Sequence, residues 1–345
     1  MKNFSAILIL ISTCFSACNN EPVVNNNTPT FPVTAVNFGE INSIYDDYNS
    51  ASPITGGVSP LCFSTNRKSE GANFDIIYKL FYAVYDWNNN KLIVGESNNT
   101  TKPSYDYFGV TQANANLANA VNTINSSSDE LGPYLIPQGE TETEFHTFFQ
   151  NYIFLYATNK SGNLDIELTE NLTGNTYSEP QNITFLNSPK DDAYPTLNAD
   201  KTLIYFCSNR ENNFDIYETY LNNTSSLLFA LTDHTERAIT KNIILSSDYD
   251  DKCPFIIGDL MVFTSNRPGG FGGFDLYYST FKDGEWSSPV NFGNKINTQH
   301  DEYRPIVKDY YSTFTNDFMI FSSNRPGGKG GFDLYYVGID KMTGW

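Results

Sequence analysis

One phrase constrains this chain more than any other feature. SNRPGGFGGFDLYY at 265–278 returns as SNRPGGKGGFDLYY at 323–336. Older copies stand before them: SNRENNFDIY at 208–217, TNRKSEGANFDIIY at 65–78 and, weakest, TNKSGNLDI at 158–166, where Lys160 replaces arginine. Two acids followed by a proline precede the copies: Asp46-Asp47 before Pro53, Asp129-Glu130 before Pro133, Asp191-Asp192 before Pro195, Asp250-Asp251 before Pro254 and Asp301-Glu302 before Pro305. A unit that recurs at such spacing cannot bury its apolar face alone and must pack on its neighbours.

The repeat asparagines fall at 66, 159, 209, 266 and 324, so the later intervals are 50, 57 and 58 residues and the first is 93. Blade-type repeats run about 40–50 residues, and long hairpins account for the excess. Each unit reads as four strands. The proline after the acids opens a short inner strand, and an apolar run such as Leu203–Phe206 or Met261–Phe263 supplies the second. The glycine-rich hairpin leads into a third strand at Asp-Leu-Tyr-Tyr, and the outer strand covers Trp286–Val290. An aromatic content of 15%, mostly Phe and Tyr, suits strands. The segment Val36-Asn-Phe-Gly matches Val290-Asn-Phe-Gly. The N-terminal segment is therefore expected to supply the outer strand of the last unit and to pair an edge that would otherwise stay open. The expected fold class is all-β, a single five-bladed β-propeller closed by an N-terminal strand in the last blade. The insertion at about 97–128 carries Leu117, Val121 and Ile124 at helical spacing. A degenerate sixth blade there is the alternative.

The motifs resemble the TolB-like β-propeller repeats, a WD-repeat-like family of bacterial envelope proteins, over roughly residues 34–345. A closed ring gives a stiff frame on which loops vary freely, and acids repeated in every blade do not make one asymmetric site, so the expected role is a non-catalytic cell-envelope scaffold that binds an envelope protein or a peptide. The alternative is a five-bladed propeller glycoside hydrolase using channel carboxylates.

The N-terminus reads as a targeting segment. Lys2 precedes an apolar run from Phe4 to Ser12, and Phe15-Ser16-Ala17-Cys18 resembles the lipobox of bacterial lipoproteins. Residues 1–17 are then a signal peptide, Cys18 the lipidated residue, 18–33 a flexible tether and 34–345 the propeller. Asn19 after the cysteine implies outer-membrane residence in a Gram-negative bacterium, on its periplasmic or its surface side. The only expected membrane contact is through that anchor. A net charge of −18 disfavours nucleic acid as a partner.

The acid pairs Asp129, Glu130, Asp191, Asp192, Asp250, Asp251, Asp301 and Glu302 are placed near one mouth of the channel. There they would bind a cation or a basic peptide, or serve the blades. Because a feature present in every blade usually serves the blade, they are expected to pair with Arg67, Arg210, Arg267 and Arg325. The repeated Asp75, Asp165, Asp215, Asp275 and Asp333 are expected to hold their own hairpins. No cofactor is expected; calcium at the acidic mouth is the one considered. His146, His234 and His300 are too scattered for a zinc motif. The glycine runs at 269–273 and 327–331 lack the following helix of a dinucleotide site. Cys62, Cys207 and Cys253 permit one disulfide or three buried thiols.

Overall fold

The computed structural model describes residues 28–53, 58–97, 108–142, 147–221, 226–310 and 313–342. The signal segment, Cys18 and His146 lie outside them. Five antiparallel sheets form five blades. The inner strands are Asp47–Ala51, Glu130–Glu142, Asp192–Leu197, Asp251–Ile257 and Glu302–Lys308. Each begins at the second acid of its pair, ahead of the proline expected to open it. Second strands such as Leu260–Ser265 and Asp317–Ser323 are buried along their whole length. Neighbouring blades cover both of their faces, which is why they read as apolar runs rather than alternations.

The ring closes as the repeat implied. Val36 pairs with Tyr336 and Asn37 with Tyr335, so the strand Val36–Asn37 is the outer strand of the blade that contains Asp333. Asn37 Nδ2 donates to Asp333 Oδ2 at 3.2 Å, as Asn291 Nδ2 donates to Asp275 Oδ2 at 2.8 Å in the preceding blade. The two Val-Asn-Phe-Gly segments therefore do one job. Residues 28–33 also dock on the last blade. Phe31 is buried against Phe314, Phe318 and Tyr310, and its N–H donates to Asn316 Oδ1 at 2.8 Å.

The insertion holds no sixth blade among the described residues. Blade 1 ends in the long hairpin Asp75–Asp86 and Lys91–Glu96, and a helix, Phe108–Ile124, follows. Its residues Leu117, Ala120, Val121 and Ile124 are buried against Ile76, Phe154 and Tyr156, between blades 1 and 2. The outer strand expected at Trp286–Val290 is instead two short pieces, Glu285–Trp286 and Val290–Asn291. No helix among the described residues is long and apolar enough to cross a membrane.

Candidate functional site

The two acids of each pair do different work. The second is buried. In four blades it meets an arginine: Asp47–Arg67 at 2.5 Å, Asp192–Arg210 at 2.6 Å, Asp251–Arg267 at 2.5 Å and Glu302–Arg325 at 2.9 Å. Each guanidinium also donates to a carbonyl six residues before the acid, as Arg210 does to Leu186 O at 2.7 Å. It lies over a phenylalanine of its own blade, with Arg210 5.1 Å from Phe206. Such an ion pair orders the blade and shows no spare valence for a ligand.

The first acid joins blades. Its Oδ1 accepts the N–H of the residue before the Phe-Asp or Leu-Asp aspartate of the preceding blade's hairpin. The bonds are Phe332 to Asp46 at 2.7 Å, Phe74 to Asp129, Leu164 to Asp191, Phe214 to Asp250 and Phe274 to Asp301, the last four all at 2.9 Å. The same five residues accept a backbone N–H from the second acid through their carbonyls, each at 2.7 Å. These paired bonds run round the whole ring.

A further clamp holds Oδ2. Asn159 Nδ2 donates to Asp129 at 2.7 Å, Asn209 to Asp191 at 2.9 Å and Asn324 to Asp301 at 3.0 Å. Asn66 and Asn266 receive the N–H of Asp46 and Asp250 but make no such return bond. The symmetry therefore breaks at two acids, in blades 1 and 4. Asp250 Oδ2 instead has Lys252 Nζ at 3.5 Å.

The hairpin aspartates hold their own turns. Asp275 accepts from Phe271 N at 2.6 Å, Asp333 from Lys329 N, Asp165 from Ser161 Oγ at 2.5 Å and Asp215 from Asn213 Nδ2 at 3.3 Å, with Lys241 Nζ of the outer strand a further donor to Asp215 at 2.6 Å; Asp75 has Lys68 at 3.9 Å. No group of three or more His, Cys, Asp or Glu able to hold a metal gathers among the described residues. His234 Nδ1 lies 3.2 Å from Thr184 Oγ1, and His300 is half-buried. Cys62, Cys207 and Cys253 are buried free thiols.

Beside the acids lies a feature that the sequence reading missed. Tyr48 and Tyr303, each next to a second acid, meet the hairpin phenylalanines. Ring centroids lie at 5.5 Å for Phe274–Tyr303, 6.4 Å for Tyr303–Phe332, 6.0 Å for Phe332–Tyr48 and 4.8 Å for Tyr48–Phe74. Lys252 Nζ extends the line, 4.1 Å from the Phe214 ring and 5.3 Å from Phe274. The result is a half-buried aromatic arc across blades 4, 5 and 1. Leu131, Ala193 and Leu164 occupy the matching places in blades 2 and 3, so the arc is interrupted there. The signal was present in the sequence, since four of the five residues preceding the hairpin aspartates are Phe. Reading them only as strand formers hid it.

No protein-family model matches the chain, and no curated protein matches it. Solved structures do. A thermostable family-43 glycoside hydrolase is 11% identical over 87% of this chain and 91% of its own, with a TM-score of 0.50. The α-L-arabinofuranosidase from Podospora anserina, solved with cellotriose, is 11% identical over 90% and 97%, with a TM-score of 0.48. A family 117 glycoside hydrolase from the marine bacterium Zobellia galactanivorans is 12% identical over 91% and 92%, with a TM-score of 0.46. At such identity the likeness establishes the five-bladed fold. It also corrects the expected family: these solved propellers are glycoside hydrolases, not TolB-like or WD-repeat proteins. The expectations of a non-catalytic scaffold and of an envelope protein or peptide as partner are corrected with it, because a stiff frame and repeated blade acids fit a propeller hydrolase as well as a scaffold. Short acid, arginine and glycine motifs report how a blade is held together, and this does not identify a family.

Proposed function

We propose that this propeller hydrolyses a glycosidic bond at the mouth formed by the aromatic arc. One observation carries the reading: of five equivalent mouth carboxylates, only Asp46 and Asp250 keep Oδ2 outside the asparagine clamp, and both stand beside the arc. Sugar rings present C–H faces that pack on aromatic rings, and glycoside hydrolysis needs two carboxyl groups in different roles. Asp250, with the Lys252 ammonium beside it, takes the role of the ionised base that activates water. Asp46, with no cation among its described contacts, donates the proton to the leaving oxygen.

The test is hydrolysis of aryl glycosides and short xylo- and arabino-oligosaccharides by the full chain. Asp46→Asn and Asp250→Asn preserve the Oδ1 acceptor, so the ring stays closed. Each should lower kcat by about 10²–10⁴ with little change in melting temperature, whereas Asp191→Asn should leave kcat near wild type. Absence of cleavage across the panel, or undiminished turnover in both variants, rejects the reading.

The sequence around Cys18 supports placing this activity on an outer-membrane lipid anchor. Nine residues lie between Cys18 and Thr28, where the described chain begins, a reach of at most about 35 Å. Labelling with a fatty-acid analogue, abolished by Cys18→Ser, tests the anchor.

A further inference from the structure

The chain contains six arginines. Five have a carboxylate at 2.5–2.9 Å: Arg67, Arg210, Arg237, Arg267 and Arg325. Arg304, 0% exposed and among the largest fully buried side chains, has none among the described residues. It lies on the propeller axis. Its Nη1 donates to Pro254 O in blade 4 at 3.3 Å and its Nη2 to Pro133 O in blade 2 at 3.2 Å, and its guanidinium is 5.3 Å from the Tyr194 ring in blade 3. A side chain of blade 5 can touch all three only where the inner strands converge. The position is shared, since Asn49, Gly132, Tyr194, Cys253 and Arg304 all have φ between 48° and 59°. Each lies within the register shift of its inner strand. Gly132 is needed there because a Cβ would come within 2.3 Å of the Tyr194 ring.

A guanidinium cannot relieve its burial by losing a proton, and a buried charge without an opposite charge is strongly disfavoured. Two carbonyl dipoles and one ring face solvate Arg304 but do not neutralise it. The neighbouring Cys253 thiol, raised to about 12 by burial, supplies no negative charge near neutral pH. Arg304 Nε is also a buried donor with no hydrogen-bond partner. The phenols of Tyr194 and Tyr303 lie beside Cys253 and offer further O–H donors.

We propose that Arg304 seats a small monovalent inorganic anion, a halide such as chloride, on the propeller axis. Nε of Arg304 and the Tyr303 hydroxyl are its donors. The single charge matches one guanidinium, and the close packing of Tyr194 on Gly132 favours an ion without bulky substituents. Asn49 Oδ1 is a buried acceptor with no partner, and its Nδ2 lies 3.4 Å from Tyr194 Oη. With the amide in the opposite sense, Nδ2 becomes a further donor and Oδ1 accepts from Tyr194.

Two measurements on the full chain test this, and neither depends on glycan cleavage. Crystals soaked in sodium bromide should show an anomalous peak in contact with Arg304 Nε. Melting in sodium chloride should exceed melting in sodium methanesulfonate at equal ionic strength by about 2–4 °C, and Arg304→Met should remove the difference. Absence of an anomalous peak at Arg304 overturns the proposal, as does a chloride shift that survives in Arg304→Met. If that variant does not fold, the bromide map of the wild type decides alone.

Discussion

Blade 2 and the other four blades solve one problem in opposite ways. In blades 1, 3, 4 and 5 the buried second acid is balanced by the arginine of its own hairpin. In blade 2 that arginine is Lys160, which is exposed. Glu130 is left with Ser126 Oγ at 2.6 Å, Ser126 N at 3.2 Å and Thr158 Oγ1 at 3.5 Å. Burial, with help from nearby Asp75 and Asp129, raises its carboxyl to about 7. The surroundings have changed in step. Tyr156 stands where the other blades place the phenylalanine under the arginine, and its hydroxyl donates to Glu167 Oε2 at 2.7 Å. One blade can therefore keep the geometry of the repeat by holding a proton where its sisters hold a guanidinium. Helix Phe108–Ile124 ends beside this carboxyl through Ser126, so the inserted helix and the odd blade meet at one point.

The largest effect should come from removing a cation from a regular blade. Arg210→Ala strands the buried Asp192 and should cost about 3–5 kcal/mol in urea unfolding. Lys160→Ala should change stability by less than about 0.5 kcal/mol. Equal losses would erase the distinction between the blades.

Glu130→Gln should act in the opposite direction. The folded-state value of Glu130 lies above its unfolded value, so its carboxyl stabilises the fold at low pH, and that contribution is lost as pH rises from about 4.5 to about 7. The substitution should therefore stabilise by roughly 2–3 kcal/mol at pH 8 and flatten this part of the pH profile, whereas Asp251→Asn should destabilise. Lys308 supplies a contrast of sign. Burial lowers its amine to about 7, where Nζ donates to Ser52 Oγ and Pro53 O at 3.0 Å and to Ser59 Oγ at 3.1 Å. Its contribution should make the protein more stable as pH rises from about 7 towards about 10. Lys308→Met should flatten that upper window and leave the lower one unchanged.

The smallest effect concerns the asparagine clamp. Asn209→Ala removes a bond to Asp191 and should cost about 1 kcal/mol more than the same change at Asn266, whose side chain makes no bond to Asp250 Oδ2. An equal cost at both positions would undercut the claim that Asp250 is free for chemistry.

The amino-acid sequence by itself determined the blade count, the closure by Val36–Asn37 and the helical spacing of Leu117, Val121 and Ile124. Those features depend on local patterns, repeated along the chain, that each blade must satisfy in the same way. Tertiary structure decided what no single repeat contains. The first acids bond to backbone groups of the preceding blade, reached only when the ring is closed. The aromatic arc draws its rings from three blades. The axial residue falls directly before the proline in four copies, so its place recurs, yet its identity changes from Asn49 to Gly132, Tyr194, Cys253 and Arg304. Those side chains meet at the axis and must fill one space together, so selection there acts on their sum and leaves no repeat to read.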